Sequence, residues 1–306
     1  MKVLVVGSNG FLGKHVKAQL NKANKYNILE ITGKDHIDIT HYVALDDYLS
    51  EFKPDVIINC AAFVGGISYG YKYPARMLYE NSIMAINLYK LSLEHKVEKL
   101  INPISNCAYP GQLTTYKEEQ FFDGPPDRSV YNYGISKRLY VQLGNSFYDE
   151  NNFSSVNVVI SNMYGPHDHF DIERSHALGA IIKKVFDAKK ENFKKVEIWG
   201  TGKPIREWLY VEDGAEALVR SIALESGHHF FNVGVERGIS IIELAETIKD
   251  KFGWDGEFEL DTSKPDGVLE KKVDGSYGQK KLGWIPKTNL NEGIQTTIDW
   301  YINEYG

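Results

Sequence analysis

At 306 residues, with 42% apolar and 25% charged side chains, the chain has the make-up of one large α/β domain, or of a core domain with a smaller lobe. A formal charge of −6, with basic clusters no larger than pairs such as Lys183-Lys184 and Lys189-Lys190, excludes a surface built for nucleic acid. Two cysteines exclude a disulfide framework and a Cys-rich metal site, and no apolar run approaches the roughly 20 residues of a membrane helix. A first strand beginning at Lys2 leaves no room for a signal peptide, so a cytoplasmic protein without a membrane partner is expected.

Apolar runs and helical patterns alternate through the first half. Lys2 to Val6 reads as a strand, Phe11 to Lys22 as a helix, Ile28 to Ile31 as a strand and Val43 to Glu51 as a helix. Asp55 to Asn59 is a third strand behind Pro54, Pro74 to His95 a long helix, and Leu100 to Asn102 a fourth strand. Strands apolar on both faces, separated by helices, predict an α/β fold: a Rossmann-type, doubly wound parallel sheet with helices on each side. Beyond it, Tyr131 to Tyr148 reads as a helix, Val156 to Ile160 as a strand, and Ser240 to Phe252 as a helix with Ser240 and Glu243 spaced for a capping box. Loops rich in Gly, Pro and aromatics lie between them. The expected division is a dinucleotide-binding domain over 1–165, rejoined by segments around 205–235, and a smaller C-terminal lobe over 166–306.

Gly7-Ser-Asn-Gly10-Phe-Leu-Gly13 joins the first strand to the first helix. In that context Gly7 permits a tight turn, Gly10 lets backbone approach a diphosphate, and Gly13 lets the helix pack on the strand. The alternative is a turn that serves packing only. The end of the second strand usually carries an acid that binds the ribose hydroxyls of NAD; here Lys34 stands just past it, and an ammonium favours a 2′-phosphate. NADP(H) is therefore expected, with a merely solvated lysine as the alternative. Asp38 is placed for adenine contacts. Asn9, Phe11, Leu12, Ala61, Ala62 and Asn162 complete the expected cofactor contacts with Lys137 and His176.

Tyr133-Gly-Ile-Ser-Lys137 puts a phenol and an ammonium on one helix face. A cation beside the phenol stabilises its phenolate, and Ser105, just past the fourth strand, is placed to hold a carbonyl oxygen.

Gly7-x-x-Gly10-x-x-Gly13, Ser105 and Tyr133-x-x-x-Lys137 together resemble the extended short-chain dehydrogenase/reductases. Val64-Gly-Gly-Ile67, Tyr73-Pro-Ala75, Ser105-Asn-Cys-Ala-Tyr-Pro110, Asn162-Met-Tyr-Gly-Pro-His-Asp-His-Phe170, Ser175-His176, Trp199-Gly-Thr-Gly-Lys-Pro-Ile-Arg206 and Ser263-Lys-Pro-Asp-Gly267 are similar to the GDP-L-fucose synthase family. The resemblance implies epimerisation at C3 and C5 of a GDP-4-keto-6-deoxy sugar, then reduction of its C4 ketone with NADPH, by a homodimer. It makes Cys107 and His176 the acid–base pair, beside Ser105, Tyr133 and Lys137, and makes Lys184, Trp199, Arg206 and Asp266 substrate contacts. Each has a plainer alternative: a structural thiol for Cys107, as expected for Cys60, a helix-start residue for His176, and core packing for Trp199. His167 and His169 lack metal-ligand spacing, so no metal is expected.

The chain departs from the family pattern at Asn106, where a serine is usual, at Lys34, where an arginine is usual, and in Asp171-Ile-Glu-Arg174. These leave open a related GDP-4-keto sugar such as a 6-deoxyheptose, with reduction or epimerisation alone. A dehydratase of the superfamily usually carries Thr-Asp-Glu around Ser105, which is absent here. A non-catalytic dinucleotide-binding protein need not keep Ser105, Tyr133 and Lys137 together.

Overall fold

The computed structural model describes all residues except 172, 173, 265 and 267, so two of the motif segments above are described only at their remaining positions. β1 (Lys2–Val6), α1 (Phe11–Ala23), β2 (Asn27–Ile31), α2 (Tyr42–Phe52), β3 (Val56–Asn59), α3 (Ile67–Lys72), α4 (Pro74–Glu94) and β4 (Lys99–Ser105) make up the first third. β5 (Thr115–Tyr116), α5 (Tyr131–Asn151), β6 (Ser155–Ile160), β7 (Asn162–Tyr164), α6 (Ala177–Lys190), β8 (Lys195–Trp199), β9 (Ile205–Tyr210) and α7 (Val211–Arg220) follow. The rest is β10 (His228–Val233), β11 (Gly238–Ser240), α8 (Ile241–Phe252), β12 (Glu257–Asp261), β13 (Glu270–Val273), α9 (Ser276–Leu282) and α10 (Leu290–Tyr305).

The main sheet runs β10-β6-β4-β3-β1-β2 and every pairing in it is parallel. This is the doubly wound α/β sheet predicted from the alternating apolar runs. Val3 and Val5 of β1 pack under α1 and α7, while Leu4 and Val6 face the opposite way toward α2, α4 and α5, so both faces are covered. Strand order reverses beside β1, with β2 on one side and β3 on the other, and ligands of such sheets bind at that point beyond the strands' carboxyl ends.

Two differences from the sequence reading matter for the site. β4 continues through Pro103 to Ser105 instead of stopping at Asn102, so Ser105 is its last residue. A proline is tolerated there because β3 pairs with β4 only as far as Ile101, and beyond it the strand has β6 alone as neighbour. The second half also holds a small sheet, β11-β9-β13-β5 with β7 paired to β9, and a separate pair β8-β12. Strands of two to six residues carry little periodic pattern, so this small sheet has no clear signature in the sequence. The capping box at the start of α8 is formed, with Ser240 accepting from the Glu243 N–H and Glu243 reaching back.

Glu207 locks the small sheet onto the main one. It is fully buried, and its carboxylate accepts backbone N–H groups from Val235, Glu236 and Val273, at 2.6 Å for the last. Glu207→Ala would leave these buried donors unpaired. Loss of about 3 kcal/mol of unfolding free energy is expected, read as a lowered denaturation midpoint.

Among the described residues no helix is long and apolar enough to cross a membrane.

Candidate active site

The glycine turn has the geometry its residues demand. Gly7 sits at φ +77°, in the left-handed region, and a Cβ there would meet the Ala61 backbone at 3.0 Å. A Cβ on Gly13 would stand 2.1 Å from the Gly7 carbonyl oxygen, so α1 can start under the turn only with glycine here. Gly10 caps α1, whose first turn carries no acid, so its free N–H groups and dipole favour an anion. Glycine, dipole and open space therefore fit a dinucleotide diphosphate.

α5 and α4 are pinned to the sheet by polar groups beneath the site, through Tyr140 and Tyr89 respectively. Asn59, Asn102 and Asn157 lie on three neighbouring strands; Asn59 donates to Tyr140 at 3.3 Å and Asn157 to Tyr89 at 3.1 Å. One turn before Tyr140, the Lys137 ammonium reaches the Pro103 carbonyl at 3.4 Å and lies 5.6 Å from the Tyr133 ring centre. Gly134 brings the helix against the Asn106–Ala108 turn: a Cβ there would sit 2.7 Å from the Cys107 carbonyl oxygen. Arg138 ties the same two segments by donating to the Ala108 carbonyl at 2.7 Å. Ser105 Oγ accepts the Cys107 N–H at 3.2 Å. Gly134 and Arg138 are not among the residues expected above, although a small residue straight after the tyrosine is a usable signal of close approach.

Ser105, Cys107, Tyr133, Lys137 and His176 all line one cavity of about 1280 Å³. So do Gly7, Gly10, Phe11, Leu12, Lys34, Asp38, Ala61, Ala62 and Asn162 on one side, and Lys184, Trp199, Arg206 and Asp266 on another. Gly13 lies buried under the turn, and Asn9 is exposed on it, outside the lining. Lys34 is paired with Asp38 at 3.1 Å, and Thr40 also holds that carboxylate. Trp199 is 57% exposed, so it is not the core residue that a strand end permits. Arg206 donates to the Ile205 carbonyl at 2.9 Å, and Asp266 accepts from Thr201 N–H and Oγ1 at 2.6 and 2.8 Å. Among the described residues no cluster able to hold a metal is found.

Burial sets the protonation of the central groups. It pushes the Tyr133 phenol up, with Cys107 and Tyr140 adding to the effect, so the phenol stays protonated at neutral pH. The neighbouring Lys137 cation favours the phenolate, as expected from the helix spacing, but in the protein alone desolvation outweighs it. Burial lowers Lys137 to about 8. His176, at the start of α6, is exposed to the cavity, and desolvation by the cavity walls with nearby His169 lowers it from the ordinary imidazole value, which favours the neutral ring. Burial raises the Cys60 thiol to about 12, as expected of a structural cysteine.

Lys137 is charged below about pH 8 and neutral above it, so its cation is lost on the alkaline side. The expected kcat/KM, which reports the free enzyme, falls as pH rises through about 8. In Lys137→Arg the guanidinium stays charged, and that alkaline limb should move upward. A pH–rate profile of both proteins checks this.

A doubly wound sheet, a glycine turn at its switch point, and Ser105 with a Tyr-x-x-x-Lys helix over one cavity define an extended short-chain dehydrogenase/reductase. The model of the NAD dependent epimerase/dehydratase family matches residues 3–234. GDP-L-fucose synthase 1 of Arabidopsis thaliana is 32% identical over 98% of this chain and 93% of its own length. Among solved structures, a GDP-L-fucose synthetase from Naegleria fowleri bound to NADP superposes with TM-score 0.90 at 28% identity, covering 99% of this chain and 93% of its own. A GDP-6-OMe-4-keto-L-xylo-heptose reductase from C. jejuni does so with TM-score 0.91 at 26% identity, covering 99% and 98%. The chain belongs to the NAD dependent epimerase/dehydratase family, and within it to the family of the GDP-L-fucose synthases.

Proposed function

We propose that the chain is an NADPH-dependent epimerase/reductase of a GDP-4-keto-6-deoxy sugar. The observation that supports it most is the convergence of Cys107 and His176 with Ser105, Tyr133 and Lys137 on one cavity, beside the glycine turn. In this reading residues 1–165, with the returning segments, bind the cofactor, and 166–306 mainly bind the nucleotide sugar. Gly7, Gly10, Phe11 and Leu12 receive the diphosphate, with Asn9 and Gly13 shaping the turn. Lys34 exchanges Asp38 for the 2′-phosphate, Asp38 borders the adenine, and Ala61, Ala62, Asn162, Lys137 and His176 hold the remainder. Bound NADPH supplies the hydride for the C4 ketone.

The chain's own groups do the rest. Ser105 and protonated Tyr133 hydrogen-bond the C4 oxygen, which makes the protons at C3 and C5 acidic by stabilising the enolate. Cys107 and neutral His176 remove and return those protons on opposite faces. Tyr133 then gives its proton to the C4 oxygen during reduction, with the Lys137 cation beside it. Arg206 and Lys184 face the substrate diphosphate, Trp199 the base, and Asp266 the ribose.

The likeness to the heptose reductase, together with Asn106 and Arg174 at positions where this chain departs from the family, favours a second reading: reduction of a GDP-4-keto-6-deoxyheptose. We further propose a homodimer in the cytoplasm. Leu78, Tyr79 and Ile86 of α4 and Tyr131 and Tyr148 of α5 form an exposed apolar set suited to a subunit interface, and the two cysteines are free thiols.

The test incubates the protein with GDP-4-keto-6-deoxymannose in deuterated water, with and without NADPH. NADPH consumption with deuterium at C3 and C5 is expected. Deuterium without NADPH consumption would indicate an epimerase, consumption without deuterium a reductase, and neither would refute the proposal for this sugar.

A further inference from the structure

Every nucleobase has a flat face, so an exposed indole can stack any of them, and only the groups at the indole's edge can tell one base from another. Trp199 ends β8 with its ring exposed to the cavity, and its N–H donates to Glu197 Oε1 at 2.9 Å. Residues two apart on a strand share a face, so the Glu197 carboxylate stands beside the indole and is oriented by it. Oε2 and a second lone pair on Oε1 remain open.

The other charges around the ring leave this carboxylate available. Lys184 directs its ammonium to the Glu197 backbone carbonyl at 2.8 Å and lies 6.0 Å from the indole centre. The Lys264 ammonium is 5.5 Å from the same centre. Glu259, which faces Glu197 across the β8–β12 register, is neutralised by Lys195. Among the described residues no cation forms an ion pair with Glu197.

A carboxylate only accepts hydrogen bonds, and an ammonium only donates them. Guanine presents two adjacent donors, N1–H and the 2-amino group, and an acceptor at O6 beside them. Adenine has an acceptor at N1 and no 2-amino group, and the pyrimidines offer no such pair of neighbouring donors and acceptor. We infer that Glu197 is a specificity-determining residue that reads the donor edge of a guanine stacked on Trp199. This rests on the proposal that a nucleotide-linked sugar binds with its base at Trp199, and it assigns the base to a residue outside the motifs that carry the family resemblance.

The experiment is calorimetric titration of the full-length protein with GDP, with IDP, which lacks only the 2-amino group, and with ADP. The native protein should bind GDP about tenfold or more tightly than either, the gain that a hydrogen bond to a charged group supplies. Glu197 is exposed, so Glu197→Gln leaves folding untouched, and the amide oxygen still accepts the indole N–H. In that variant GDP should weaken to within about threefold of IDP, IDP, which keeps N1–H, should weaken less than GDP, and ADP, which has no donor at N1, should not weaken. Trp199→Ala should weaken all three nucleotides. A GDP preference that survives Glu197→Gln, or an equal loss for all three nucleotides in it, would overturn the role of Glu197 while base stacking on Trp199 stands. GDP binding that ignores Trp199→Ala would remove the base from this site, and both readings would fall together.

Discussion

Tyr133→Phe is expected to slow NADPH oxidation by the keto sugar by about 10²- to 10⁴-fold, the range that a positioned proton donor contributes. The substitution removes only the hydroxyl. The ring keeps its place because Gly134 and Arg138, not the phenol, hold α5 against the Asn106–Ala108 turn. Cofactor affinity, measured by fluorescence titration, should therefore stay within about twofold of native. Burial keeps the phenol protonated through neutral pH, which suits donation and not abstraction. Native-like turnover in Tyr133→Phe would mean that the proton comes from elsewhere, and Ser105 would be the next group to replace.

The second large effect is expected on exchange and not on reduction. Cys107→Ser should lower deuterium incorporation at the epimerised carbons by about 10²- to 10⁴-fold, because a serine hydroxyl is a far weaker acid than a thiol. Reduction of a substrate already in the final configuration should persist, since Ser105, Tyr133 and Lys137 are untouched. His176→Asn should affect exchange in the same way, because desolvation by the cavity walls favours the neutral imidazole, ready to accept a proton. Mass spectrometry of the recovered sugar separates the two steps. Unchanged deuterium uptake in Cys107→Ser would make this thiol structural, like Cys60, and leave the chain a C4 reductase.

The features legible beforehand are those written in neighbouring residues. Gly7, Gly10 and Gly13 announce a turn into a helix because only glycine tolerates the left-handed backbone and the close packing found there. Tyr133 and Lys137 announce a shared helix face because four residues make about one turn. Ser240 and Glu243 announce a cap for the same local reason. The apolar runs at β1, β3 and β6 announce a parallel sheet because both their faces are covered.

Contacts between distant segments carry no such local mark. Nothing beside Pro103 in the chain says that β3 ends early enough to let β4 pass through a proline and deliver Ser105 at its tip. The approach of Gly134 to Cys107 and the hold of Thr201 on Asp266 exist only once α5 and the 200–203 loop are packed. The orientation of Glu197 by Trp199 likewise depends on the exposed edge that β8 presents. By itself, then, the sequence determined a doubly wound sheet, a dinucleotide turn and a Tyr–Lys helix, because backbone sterics and helical period act over a few residues. That groups from Gly7 to Asp266 face one cavity was decided by the tertiary structure, because their proximity comes from strand pairing and burial and not from spacing along the chain.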